Sequence, residues 1–392
     1  MRGSLRAFGR FRRSVTIVVA ALALLGLGAA GGALAVGGAP PPPISTQSLA
    51  ERLVQAKPPE AASGRFEFAN RLLPSSVTDG QRGGDAPSPF LTGGSGRFWY
   101  SSPDRLRIEL DGAGGKVQLV RRGRTLWLHD PARRVAHRVK LPPRGAPAGE
   151  QAADVQGCPP LPSSSTIAQA LAALGSDFAL ASPVSAVVAG RSAYEVRGDI
   201  RDSGGLLAAV GSALDAGALD AATLLPLRFE LIAREVAEPV LSLQVSEVSL
   251  DPVSPSLFTF DPPAGTAVTT TAVPQLKQRG RPDFDVAAPA RLARRFLSER
   301  RTSPSGVLSV YGAGAGKIHV FESEATGPAR ARNRSLLALP TVRLAGERAR
   351  VLGTRLGSVV YWRSGRVSFV VAASRPAAEV TRAARAVAEA AR

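Results

Sequence analysis

The apolar and polar positions of this chain change period along its length. From Ser14 to Val36 they do not alternate at all: the run is uncharged and about 20 residues long, enough to cross the hydrocarbon layer of a bilayer. Residues 1–13 before it carry Arg2, Arg6, Arg10, Arg12 and Arg13 and no acid, which places the amino terminus inside and the rest of the chain outside. The run contains Ala33-Leu34-Ala35, a small-x-small site that a signal peptidase can cut. A transmembrane anchor over 14–36 and a leader cleaved after Ala35 both satisfy these features. Residues 37–44, rich in Gly and Pro, read as an extended, unpacked tether.

A short helical period follows over Thr46 to Lys57, with Ser48 and Glu51 at capping-box spacing and Leu49, Leu53 and Ala56 on one face. Beyond it the period falls to two. Gly64 to Phe68 alternates, as do 97–101, 105–110, 116–121, 125–129 and 135–140, and Gly, Asp and Pro turn residues separate the later runs. Strands so close in sequence pair as an antiparallel meander. Leu106, Ile108 and Leu110 point one way and Arg105, Arg107 and Glu109 the other, which predicts a sheet with one apolar and one wet face. After a Pro/Gly/Ser-rich loop at 142–165, helices are predicted at Thr166–Leu174 and Leu206–Leu214. Strands are predicted at 193–197, 227–233, 240–250 and 257–260. The first unit thus spans 45–268. A linker, 269–284, leads to a small α+β unit over 285–392. There a helix is predicted at Pro289–Glu299, then five strands, and a last helix at Ala377–Ala390 capped by Ser374.

An apolar sheet face must be covered by helices, a second sheet or a ligand. The short helices of the first unit carry mostly Leu and Ala, so periodicity alone leaves a filled core and a cavity equally open. Strand phase and aromatic content nominate Phe66, Phe68, Trp99, Leu106, Ile108, Leu119, Trp127, Leu171, Leu227 and Phe229 as lining residues of such a cavity.

The formal net charge of +18 suits anionic partners, but the arginines alternate with apolar residues and no nucleic-acid-reading motif accompanies them. A solvated outer face accounts for them, and nucleic acid is not the expected partner. The single cysteine, Cys158, forms no internal disulfide. His129 and His137 flank the Asp130-Pro131 turn without a placed carboxylate or thiolate, and read as strand-end surface residues. Gly312 to Lys317 lacks the first Gly of a phosphate loop, where Tyr311 stands, and its Ser/Thr, where Ile318 stands. The sequence proposes no catalytic residue, no metal and no cofactor.

The stretches Gly96–Glu109 and Leu119–Pro131 resemble the strand pair and the Leu-Trp hairpin of LolA-type lipoprotein carriers. Asp220–Arg228 and Phe258–Gly265 are similar to their late strand and domain close. The carboxy-terminal stretch Gly357–Val371, followed by a helix, resembles the small second domain of the MucB/RseB type. The resemblance implies a mainly β (α+β) fold, a half-open antiparallel β-barrel with a helical lid plus a small α+β domain, an apolar cavity and no enzymatic activity. Its implied ligands are a lipid or lipoprotein acyl chain, in lipoprotein handling or envelope sensing, or a membrane anti-sigma factor in envelope-stress signalling. Two features depart from it: the long apolar leader, and Ser203–Gly217, which reads as an added apolar helix.

Overall fold

The computed structural model describes residues 39–55, 59–74, 87–102, 104–141, 178–201, 205–216, 225–234, 236–272, 280–304, 306–324 and 339–392. The apolar run 14–36, the loop at 142–165, the helix predicted at 166–174 with Leu171, and Cys158 lie outside them. Among the described residues no helix is long and apolar enough to cross a membrane.

Helix α1 (Thr46–Gln55) precedes a sheet built from β1 (Ala61–Asn70), β2 (Gly93–Ser101), β3 (Arg105–Gly112), β4 (Gly115–Arg122), β5 (Thr125–Asp130), β6 (Val135–Lys140), β7 (Phe178–Leu180), β8 (Val184–Val188), β9 (Arg191–Ile200), β10 (Leu207–Asp215), β11 (Pro226–Ala233), β12 (Leu241–Ser249) and β13 (Ala267–Ala272). Its order is β13-β6-β5-β4-β3-β2-β1-β12-β11-β10-β9-β7, with β8 also on β9, so it is open rather than a closed barrel. Every pairing is antiparallel except β13 on β6. A four-residue helix, α2 (Pro89–Thr92), sits between β1 and β2.

The meander predicted for 97–140 is present, and its inward residues form one cluster reaching from Leu126, Leu128 and Val139 to Ala193 and Ala213. Two glycines make room for aromatic rings between β1 and β2. Phe66 lies opposite Gly96 and Phe98 opposite Gly64, so each ring rests over a cross-strand glycine, with ring centroids 6.5 Å apart. A Cβ at Gly96 would collide with the Phe66 ring and the Glu109 carbonyl.

The second sheet runs β14-β15-β16-β17-β21-β20-β19-β18, formed by β14 (Arg291–Leu292), β15 (Arg295–Ser303), β16 (Gly306–Tyr311), β17 (Ile318–Glu324), β18 (Thr341–Leu344), β19 (Glu347–Thr354), β20 (Gly357–Ser364) and β21 (Val367–Ala373). Helix α3 (Ala377–Ala390) packs Val380, Ala383, Ala384, Val387 and Ala388 onto its inner face. There Trp362 stacks on Phe369 at 4.9 Å with nearly parallel rings. The two units touch: the Leu206 amide donates to the Ser374 carbonyl at 3.0 Å, the Arg355 amide donates to the Leu72 carbonyl at 3.2 Å, and Leu356 packs on the first core.

Several expectations are corrected. Leu206–Leu214 is not a helix but β10. Its small apolar residues pair with β9 and β11, because in a chain this rich in alanine the Ala content overstates helix. Pro289–Glu299 is the β14–β15 hairpin, turned by Ala293 and Arg294 at positive φ. The strand expected at 257–260 is a 3-10 turn, Pro255–Phe258, and the sheet continues past 268 through β13. The first helix is capped by Ser45, whose Oγ accepts from the Ser48 amide at 3.1 Å, and not by Ser48. The last helix has Pro376 at its N-cap, while Ser374 donates to the Leu356 carbonyl at 2.8 Å. The tether is packed: Pro41 is buried and residues 39 and 42 are hydrogen-bonded to β9.

Candidate functional site

Six of the ten nominated lining residues come together on the inner face of the first sheet. Phe66, Phe68, Leu106, Ile108, Leu119 and Leu227 belong to its core cluster at 0–7% exposure, and Phe229 packs against that cluster half-buried. Among the described residues these six side chains are buried. Trp99 and Trp127 lie on the opposite face, because Phe98 and Tyr100, and Leu126 and Leu128, occupy the inward phase of their strands. Aromatic content nominated them; strand phase turns them outward.

Trp127 does have a partner there. Residues 251–266 cross the outer face from β12 to the β6 edge as a strap. Arg107 donates to the Leu257 carbonyl at 3.1 Å, Phe258 is 1% exposed, and Phe260 meets Trp127 at 5.4 Å and His129 at 5.1 Å. Arg138 lies over the Trp127 ring at 5.5 Å. Between strap and strands is a cavity of about 320 Å³ lined by Val120, Arg122, Thr125, Trp127, Phe258 and Asp261 among others. His129 is thus buried rather than on the surface, and burial holds its imidazole, like that of His137, below its ordinary pKa while Asp130 opposes the shift. A second depression, about 360 Å³, surrounds Trp99, Arg65, Arg97 and Glu247.

The second sheet presents a different surface opposite its helix. Arg301, Leu308, Phe321, Val370, Tyr361 and Arg350 stand side by side on β15, β16, β17, β21, β20 and β19. A second row, Val310, His319, Ala372, Val359 and Leu352, runs beside it. Phe321 is 40% exposed. An apolar and aromatic band closed by arginines has the composition of protein-interface anchors. Sequence reasoning missed this band. A signal for it exists in the alternation of Val307–Tyr311 and Val367–Ala373, where both phases are apolar.

On the inner side of that sheet Glu322 is fully buried. Its carboxylate accepts the Ala287 and Ala288 amides at 2.8 and 3.1 Å, and burial pushes its pKa up against the opposing pull of those amides and Arg300. Arg300 donates to the Ala288 carbonyl at 2.5 Å, and the Tyr311 hydroxyl to that of Pro289 at 2.6 Å. These groups pin the segment entering the second sheet. Among the described residues no three His, Cys, Asp or Glu side chains converge as metal ligands.

No family model and no curated protein matches the sequence. Among solved structures, the chain is similar to one from the Pseudomonas aeruginosa MucA/MucB complex, at 17% identity over 86% of this chain and 95% of that one, with a TM-score of 0.41. It is similar to an uncharacterised conserved protein of Thermus thermophilus, at 12% identity over 57% of this chain and 98% of that one, TM-score 0.33. A LolA superfamily protein of Nitrosomonas europaea matches at 12% identity over 55% of this chain and 98% of that one, TM-score 0.23.

Proposed function

We propose that this chain is a non-enzymatic binding protein on the extracytoplasmic side of a membrane, attached through the apolar run 14–36, and that it binds a segment of another envelope protein. One observation carries this reading. The outer face of the second sheet carries an apolar band with an arginine at either end, in which Phe321 is 40% exposed. The partner class implied by the sequence resemblance is a membrane-embedded anti-sigma factor, which would make the protein a regulator in envelope-stress signalling. Crosslinking in host membranes is expected to recover a single-span protein whose outer segment, purified, binds the chain directly. Recovery of no such protein, or of one whose segment does not bind, removes this reading. A chain cut after Ala35 would act from solution outside the membrane instead.

A second reading, a holder of a lipid or lipoprotein acyl chain, is favoured by the continuous apolar inner face. Among the described residues, those packed on it from outside the sheet include Phe90 on α2, Leu72 and, from the second unit, Leu356. Each methylene entering that face contributes about 0.8 kcal/mol, so a displaced cover would be repaid by one chain. Native mass spectrometry of protein purified from its host then shows an acyl adduct; a bare mass together with no uptake of fluorescent fatty acid rules it out.

A further inference from the structure

We infer that the β8 edge of the first sheet is a membrane-facing surface, seated against the lipid headgroups by the docked tether. The inference rests on the membrane attachment proposed above, but not on the identity of any ligand.

The first observation is where the chain becomes tied down. The Ala39 carbonyl accepts from the Ser192 hydroxyl at 2.6 Å, and the Pro42 carbonyl from the Tyr194 hydroxyl at 2.8 Å. Pro41 is buried, and Leu49 of α1 closes a small core with Tyr194 and Leu214, at 2%, 3% and 7% exposure. The amino-terminal segment is therefore fixed along β9 and β10 from residue 39 onwards. Only two residues, Gly37 and Gly38, and so three Cα–Cα steps, separate Val36, the end of the apolar run, from Ala39. Fully extended they reach about 11 Å. A headgroup layer is about 6 Å thick, so Ser192, at the start of β9, lies within a few ångströms of the lipid surface.

The second observation is independent of the tether. Of the five large hydrophobic side chains that stand out as exposed, two, Val184 at 60% and Val187 at 44%, belong to β8. Val187 is registered with Ser192, the residue that holds Ala39, and Val184 with Glu195. Among the described residues β8 pairs with β9 alone, and no described strand lies along its other edge. Its valines point to either side of that edge, and the Ala189-Gly190 turn, with both residues at positive φ, ends the hairpin. An open edge cannot enter hydrocarbon, where its amides would go unpaired, but at headgroup depth they remain solvated while the valines bury. The partner is thus a lipid surface met edge-on. The local charges cancel, Arg191 pairing with Asp215 at 2.7 Å and Arg197 with Asp199 at 2.9 Å, so the contact does not depend on anionic lipid.

The test uses the full-length chain in vesicles of phosphatidylcholine with a minor fraction of phosphatidylglycerol. In a Cys158→Ser background, Val187→Cys and, as a remote control, Val268→Cys carry an environment-sensitive dye; Val268 is 50% exposed on β13, at the far edge of the sheet. Headgroup-level nitroxide lipids are expected to quench the dye at 187 severalfold more than at 268. Adding Ser192→Ala and Tyr194→Phe should lower the quenching at 187 while the chain stays in the vesicles, and removing phosphatidylglycerol should not. Equal quenching at 187 and 268 with the chain embedded overturns this inference alone. A chain that leaves the membrane fraction because its leader is cut overturns both it and the membrane attachment.

Discussion

The two sheets solve one problem in two ways. Each has an apolar inner face, but the second lays a single 14-residue helix across it, using the sequence immediately after its last strand. In the first, the described residues packed into the core from outside the strands include Phe90 of a four-residue helix, Leu72, and Leu356 supplied by the other unit. The outer faces differ in the reverse sense. The first sheet's is crossed by a strap and carries charged pairs; the second sheet's carries an apolar band from which Phe321 stands exposed.

The comparison is most easily broken at the second core. Trp362→Ala removes a fully buried indole stacked on Phe369 and should cost about 3–5 kcal/mol. Calorimetry should then show the second unit melting first and the first unit's transition retained; a single early transition would mean the units do not fold separately. Next in size is Gly96→Val, which forces a side chain against Phe66 and should cost about 1–3 kcal/mol. Combining it with Phe66→Ala should cost less than the sum of the two, and simple additivity would show that the ring-over-glycine contact is not what limits position 96. Leu356→Ala, which thins the contact between units, should cost about 1 kcal/mol and separate their transitions in denaturant.

The smallest expected effect distinguishes the sheets by pH. Burial lowers the pKa of His129 and His137, so the stability of keeping them neutral is present above the ordinary histidine range and lost as pH falls through it. Burial raises the pKa of Glu322, so its contribution is full below the ordinary carboxylate value and is lost as pH rises past it. The first unit should therefore weaken in mild acid and the second on leaving it. Glu322→Gln should flatten the second profile, and a profile unchanged by that substitution would assign it to another group.

Much of this was legible in the residues. Period-two alternation located the meander, because a half-buried antiparallel strand writes its two faces directly into sequence, as in Leu106, Ile108 and Leu110. Alanine misled at 206–214 and 289–299, where pairing partners and a positive-φ turn decide the conformation and local propensity does not. The strap was hidden because nothing in residues 251–266 states which face they cross. The Gly-Arg-Phe triplet at 64–66 and again at 96–98 was readable: each glycine receives the other strand's ring. Site prediction suffered most at Trp99 and Trp127, whose size suggested a lining role that their phase forbids.

The most direct measurement compares the two regions in one titration. The partner segment recovered by crosslinking is titrated against the wild-type chain, Phe321→Asp on the open band, and Leu119→Ala in the closed core. A loss of at least about tenfold in affinity, some 1.4 kcal/mol, is predicted for Phe321→Asp, with folded Leu119→Ala binding as wild type. Unchanged binding by Phe321→Asp alongside weakened binding by folded Leu119→Ala would contradict the account and return the function to the inner face of the first sheet.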